Sequence, residues 1–122
     1  MRRRVALVVA MLAAFLIPAG ARAPLGVVAV AQEVGEKTLL DNDRLTMIEF
    51  VFPAAFKGEE HAAVADEFAH VLDGQFAVVT KGQGKRVLRK GEVEYASKGT
   101  VHYLLNETKR PARVLVVLLK ER

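Results

Sequence analysis

The chain has 122 residues, no cysteine and no tryptophan, and its formal net charge of +4 comes from the front, where Arg2, Arg3, Arg4 and Arg22 are the only charges before residue 32. Residues 32–122 carry 14 basic and 14 acidic side chains, a balance that gives no electrostatic reason to expect a nucleic acid or an anionic membrane surface as partner. The absence of cysteine excludes a disulfide framework, a thiolate zinc site and a cysteine nucleophile, so the roughly 91 residues after the leader form one domain that must fold on apolar burial alone.

The leader, 1–31, has a basic start at Arg2–Arg4, an uncharged apolar run over 5–17, then Pro18-Ala-Gly and small residues. This is the layout of a secretory signal peptide, and the 13 apolar residues before Pro18 fall short of the ~20 that span a bilayer. Ala21-Arg-Ala23 and Ala29-Val-Ala31 are both cleavage sites of the A-x-A type. The first would leave Pro24 just after the cut, so cleavage is expected after Ala31, giving a secreted or periplasmic protein with no membrane contact thereafter. The arginine triplet is a weak hint of a twin-arginine route.

Residues 32–45 read as an exposed N-terminal lead-in segment that covers a sheet edge, and 46–122 as the folded domain. Beyond residue 31 no window holds a helical period. Short apolar or alternating runs follow instead, at 46–52, 67–72, 75–80, 85–90, 92–96, 101–106 and 113–119, separated by Gly, Lys-Gly, Asp-Gly and Asn. Asp73-Gly74 is the dipeptide a two-residue hairpin prefers and is expected to pair 67–72 with 75–80. Lys81-Gly-Gln-Gly84 and Lys90-Gly91 mark further turns. The basic cluster Lys85, Arg86, Arg89 and Lys90 suits a solvated edge that discourages aggregation. The run Val114-Leu-Val-Val-Leu-Leu119 is apolar on both faces, as a strand covered on both sides would be, and it makes a homodimer possible. Seven or eight short strands in an all-β chain imply a sandwich or a barrel. Phe50, Phe52, Phe68, Phe76, Tyr95 and Tyr103 have strand parity and are expected in the core.

His61, His70 and His102 are the only imidazoles. Gly91, Ser97, Lys98, Gly99, His102 and Asn106 stand in a spacing that resembles the second motif of the cupin superfamily, which has proline where Ser97 stands. Upstream, His61, Ala62, Ala63, Glu67 and Gly74 resemble the first motif, in which the family has a second histidine at the position of Ala63 and a glycine at that of Ala55. The resemblance runs over about residues 40–120, with 16 residues between Gly74 and Gly91. It implies a small antiparallel jelly-roll barrel and makes His61, Glu67 and His102 candidate ligands of one divalent metal.

The donor chemistry agrees with this. Neutral imidazole and carboxylate suit Fe, Mn, Ni, Cu or Zn, and two histidines with one carboxylate leave positions open for a small molecule or dioxygen. Six extended residues would hold His61 and Glu67 ~20 Å apart, so the chain must turn within 62–66, a stretch with no Gly, Pro or Asn. Ala63 supplies no donor; Glu59, two residues before His61, or water could complete the set. His70 follows Glu67 by three residues on one strand and faces the other way. Asn106 opens an Asn-Glu-Thr sequon, but hydrogen bonding at the barrel end is the expected role. Two functions remain open. One is an enzyme of dioxygenase, isomerase or lyase type acting on a small organic molecule, in which Tyr95 or Tyr103 would only be guesses for an acid or base. The other is a non-catalytic small-ligand or structural module whose metal site has eroded.

Overall fold

A computed structural model describes residues 33–121; the signal-peptide and cleavage expectations lie outside the described residues. Ten strands follow in order: β1 (Gly35–Asp41), β2 (Leu45–Phe52), β3 (Phe56–Lys57), β4 (His61–Ala62), β5 (Glu67–Asp73), β6 (Gln75–Thr80), β7 (Gly84–Arg89), β8 (Val93–Ala96), β9 (Val101–Asn106) and β10 (Ala112–Leu119). No helix among the described residues is long and apolar enough to cross a membrane.

All strand pairs are antiparallel and fall into two five-stranded sheets. The first has the order β1-β2-β10-β5-β8; the second has β3-β9-β6-β7, with β4 also paired to β9. This is the expected all-β antiparallel jelly roll. The segment before residue 46 contributes β1, an exposed strand along the β2 edge.

The period-two pattern of the sequence builds the interior. Along β2, Thr46, Ile48, Phe50 and Phe52 are buried while Leu45, Met47, Glu49 and Val51 alternate outward, and β10 does the same with Ala112, Val114, Val116 and Leu118 inside. Each large side chain buried this way contributes ~1.5–3 kcal/mol over its exposed state. Phe52 lies at the centre of an aromatic group, its ring centroid 5.7 Å from Phe50, 5.3 Å from Phe56 and 5.9 Å from Phe76. β10 is the middle strand of its sheet, but only one of its faces is covered: Leu115, Val117 and Leu119 are half-buried on the outer side. β7 is an edge strand, and its basic side chains are exposed there, with Lys85 paired to Glu107 and Arg86 to Glu94.

Asp73-Gly74 does not close a hairpin. β5 pairs with β10 and β8, whereas β6 pairs with β7 and β9 in the opposite sheet. Gly74 is a corner that carries the chain between sheets, helped by a register shift opposite Leu72. Its φ of 79° is the left-handed conformation that an Asp-Gly pair favours. That preference sets the local bend and leaves the partner of the next strand undetermined. Three aromatics expected in the core are also outside it: Tyr103 is half-buried on the side of β9 opposite His102, under Lys57 Nζ, and the other two are on the first sheet. Phe68 and Tyr95 are 38% and 49% exposed, and their rings pack on each other at 5.0 Å on the outer face of the first sheet.

Candidate metal and ligand site

β4 and β9 bring two of the three candidate residues together. His61 is the register partner of His102, and their rings meet edge to face with centroids 4.8 Å apart. Glu67 opens β5 in the facing sheet, and its Oε1 lies 3.2 Å from His102 Nε2. His102, 3% exposed, therefore touches both of the others from the barrel interior.

The bend between His61 and Glu67 is made without glycine or proline. Ala63 is held on both sides, its N–H donating to Thr100 O (2.7 Å) and its carbonyl accepting from Gly99 N (2.7 Å). Asp66 then fastens the crossing. Its Oδ1 accepts from Lys98 N (2.7 Å) and its carbonyl from Leu119 N (2.9 Å), so the residue before Glu67 is tied to both the β8–β9 loop and the end of β10. Partial desolvation, and after it the Asp66 carboxylate that accepts its hydrogen bond, raise the Tyr95 hydroxyl above its ordinary pKa. Sequence reading passed over Asp66; its one signal is an acidic residue immediately before the motif glutamate.

The tautomers follow from the partners. A carbonyl oxygen can only accept, so His61 Nδ1, 3.0 Å from Glu59 O, carries the proton and the lone pair is on Nε2. This is the backbone orientation commonly found behind a metal-ligating histidine. His102 has the reverse arrangement, with Nε2 toward Glu67, and its Nδ1 is the one buried side-chain polar atom among the described residues without a hydrogen bond.

The remaining residues have different roles. Glu59 meets His61 through its carbonyl, and its side chain is exposed. Ala63 is buried on the same side of the chain as His61, putting a methyl where the family has its second histidine. His70 is on the outer side of β5, between Leu115 and Val93. Among the described residues, no three His, Asp or Glu side chains stand as a ready-made ion cage. The donor types nonetheless fit a divalent ion, and His102 Nε2 and Glu67 Oε1, 3.2 Å apart, are spaced as two ligands of one ion would be.

Asn106, fully buried, seals the other end of β9. Its Nδ2 donates to the carbonyls of Phe52 (3.2 Å), Pro53 (3.0 Å) and Arg110 (2.8 Å), and its Oδ1 accepts from Thr108 N and Oγ1. The sequon amide is thus consumed in closing the barrel.

A small antiparallel barrel with imidazoles and a carboxylate facing one another inside it defines a cupin-type protein. Residues 48–118 match the family described as Cupin domain, and the chain belongs to that family. Solved structures agree on the fold. A cupin superfamily protein from Desulfitobacterium hafniense aligns with a TM-score of 0.66 at 20% identity, covering 87% of this chain and 96% of its own. KdgF from Halomonas sp. aligns at 0.65 and 22%, covering 73% and 80%. The polyketide cyclase RemF from Streptomyces resistomycificus aligns at 0.66 and 24%, covering 73% and 66%. No curated protein matches significantly.

Proposed function

We propose that this protein is an exported cupin that binds one divalent metal, Fe, Mn, Ni, Cu or Zn, through His61, Glu67 and His102, and takes a small organic molecule there. The observation that supports it most is His102, buried, with its Nε2 3.2 Å from Glu67 Oε1 and its ring edge to face with that of His61. Bound there, such an ion would polarise an oxygen-bearing ligand for isomerase or lyase chemistry, or activate dioxygen. The chain's own part is to hold the donors. Glu59 O fixes the His61 tautomer, and Asp66 holds the turn from which Glu67 projects. The buried methyl of Ala63 favours a second reading, a non-catalytic ligand-binding module with an eroded site.

Elemental analysis of protein made in an exporting host separates the two. About one metal per chain supports the first reading. No metal after reconstitution with each of the five ions leaves the second. The intact mass of the same sample tests export, which predicts a mature chain starting at Gln32.

The outer face of the first sheet supports a homodimer. One register row crosses it through Leu40, Met47, Val117, Phe68 and Tyr95, and the next runs through Leu115, His70 and Val93. The Glu49 and Arg113 charges on this face satisfy each other at 3.2 Å. A nearly neutral apolar face does not repel a copy of itself, as a two-fold contact requires, and it offers little to a charged partner.

A further inference from the structure

Beside His61 the barrel has a small notch that the metal reading does not use. Phe52, Phe56, Leu104 and Val34 line it with Gly58, and Glu59 and His61 stand at its polar margin. The space for the centre of a water-sized sphere is about 10 Å³, which is room for one methyl-sized group. Its lining is almost wholly apolar. A water there would lack the two to four partners that hold buried water in place, so an apolar group can displace it at little cost.

We propose that this notch receives a methyl-sized apolar end of the molecule bound at the site. Resting on the metal reading above, this assigns the ligand class as short alkyl-bearing oxygenated acids, in preference to polyhydroxylated ones. The chelating oxygens would face His61, Glu67 and His102, while the alkyl end turns toward Phe52 and Leu104. A hydroxyl in place of that methyl would be buried without a hydrogen-bond partner, which is the costly case.

The test uses two probes of one hand that differ in a single group: 2-hydroxybutyrate, ending in CH₃, and glycerate, ending in CH₂OH in place of CH₂CH₃. With metal-loaded protein, 2-hydroxybutyrate should bind at least about tenfold more tightly and shift the Leu104 methyl resonances. A Cβ at Gly58 would sit 3.5 Å from the Phe56 ring and from Leu104 O, an ordinary contact, so Gly58→Ala narrows the notch without straining the chain. It should erase the preference while metal content stays unchanged. Equal affinities, or a preference that survives Gly58→Ala, would overturn the proposal and leave the metal reading intact. If no metal loads, the same pair is titrated against metal-free protein. A preference there keeps the notch and abandons the metal, and no preference in that form overturns the notch.

Discussion

His61 and His102 are register partners on neighbouring strands, yet they face their acceptors through different ring nitrogens, His61 through Nδ1 to the Glu59 carbonyl and His102 through Nε2 to the Glu67 carboxylate. His102 is the more buried of the two, with Nε2 3.2 Å from Glu67 Oε1 and Nδ1 without a hydrogen bond. Two imidazoles beside one carboxylate are donor types that suit a divalent transition-metal ion.

The first prediction uses a contrast between two histidines. His102→Ala should remove most of the bound metal, because His102 is the residue in contact with both other donors. His70→Ala should leave metal content unchanged, since that ring is on the outer side of β5. Metal per chain, measured after identical reconstitution, decides it. Equal retention in both variants would mean that the three donors do not form the site.

Gly74 should tolerate no side chain. Its φ is 79°, and a Cβ there would lie 2.7 Å from Pro111 O and 3.0 Å from Ala112 Cα, backbone atoms that cannot swing aside. Gly74→Ala is therefore expected to lose ~1–3 kcal/mol, and Gly74→Val more. Denaturant unfolding measures this, and a neutral result would contradict the close approach of the corner to β10.

What the sequence made legible follows the range of each interaction. His102 and Asn106 share one strand, and the loop before it, closed by Gly99 at φ 90°, is short, so their spacing alone places them. The contact of Glu67 with His102 depends on a crossing between sheets fastened by Asp66 to Lys98 and Leu119, partners more than thirty residues away that no local pattern encodes. Asp73-Gly74 specified a bend but not which sheet β6 would join. β3 and β4, two residues each, are too short to show a period. Strand parity led Phe68, Tyr95 and Tyr103 to be expected in the core, because alternation carries no information on which face of a strand is covered.

Asn106 should be among the least replaceable residues. Asn106→Ala removes the hydrogen bonds to the Phe52, Pro53 and Arg110 carbonyls and to Thr108 at the barrel end, the Phe52 contact being fully buried and the others partly so. An unfilled buried polar group costs ~1–3 kcal/mol, so a loss of about 2–3 kcal/mol is expected. Asn106→Asp should be no milder, because a carboxylate would face three carbonyl oxygens. Equilibrium unfolding of both variants checks this, and losses below ~1 kcal/mol would mean the hub contributes little.

The proposed dimer predicts a sharp response at one position. Phe68 is central in the register row between Val117 and Tyr95, and it is exposed in the single chain. Phe68→Asp should leave the monomer folded, as the inner face is untouched, while placing two like charges across a two-fold contact. Light scattering should then show a dimer for the unmodified protein and a monomer for the variant. A monomer in both would remove the interface.

Ala55 gives a prediction of the opposite sign. It is the only non-glycine among the described residues with positive φ, at 58°, and it stands where the family has a glycine. The bend there lets its N–H reach Thr108 O at 3.2 Å, beside the Asn106 hub, so the conformation is fixed by the barrel end whatever the side chain. An L-residue held there is strained by ~1–2 kcal/mol, and the exposed methyl makes no buried packing to lose. Glycine relieves that strain at the expense of a more flexible unfolded chain, ~0.4–1 kcal/mol. The balance is a gain of about 0.5–1 kcal/mol for Ala55→Gly, a rise in Tm of roughly 2–8 °C for a domain of this size. A thermal melt of the variant beside the parent measures it directly, and an unchanged or lower Tm would mean that the corner relaxes its backbone around the alanine.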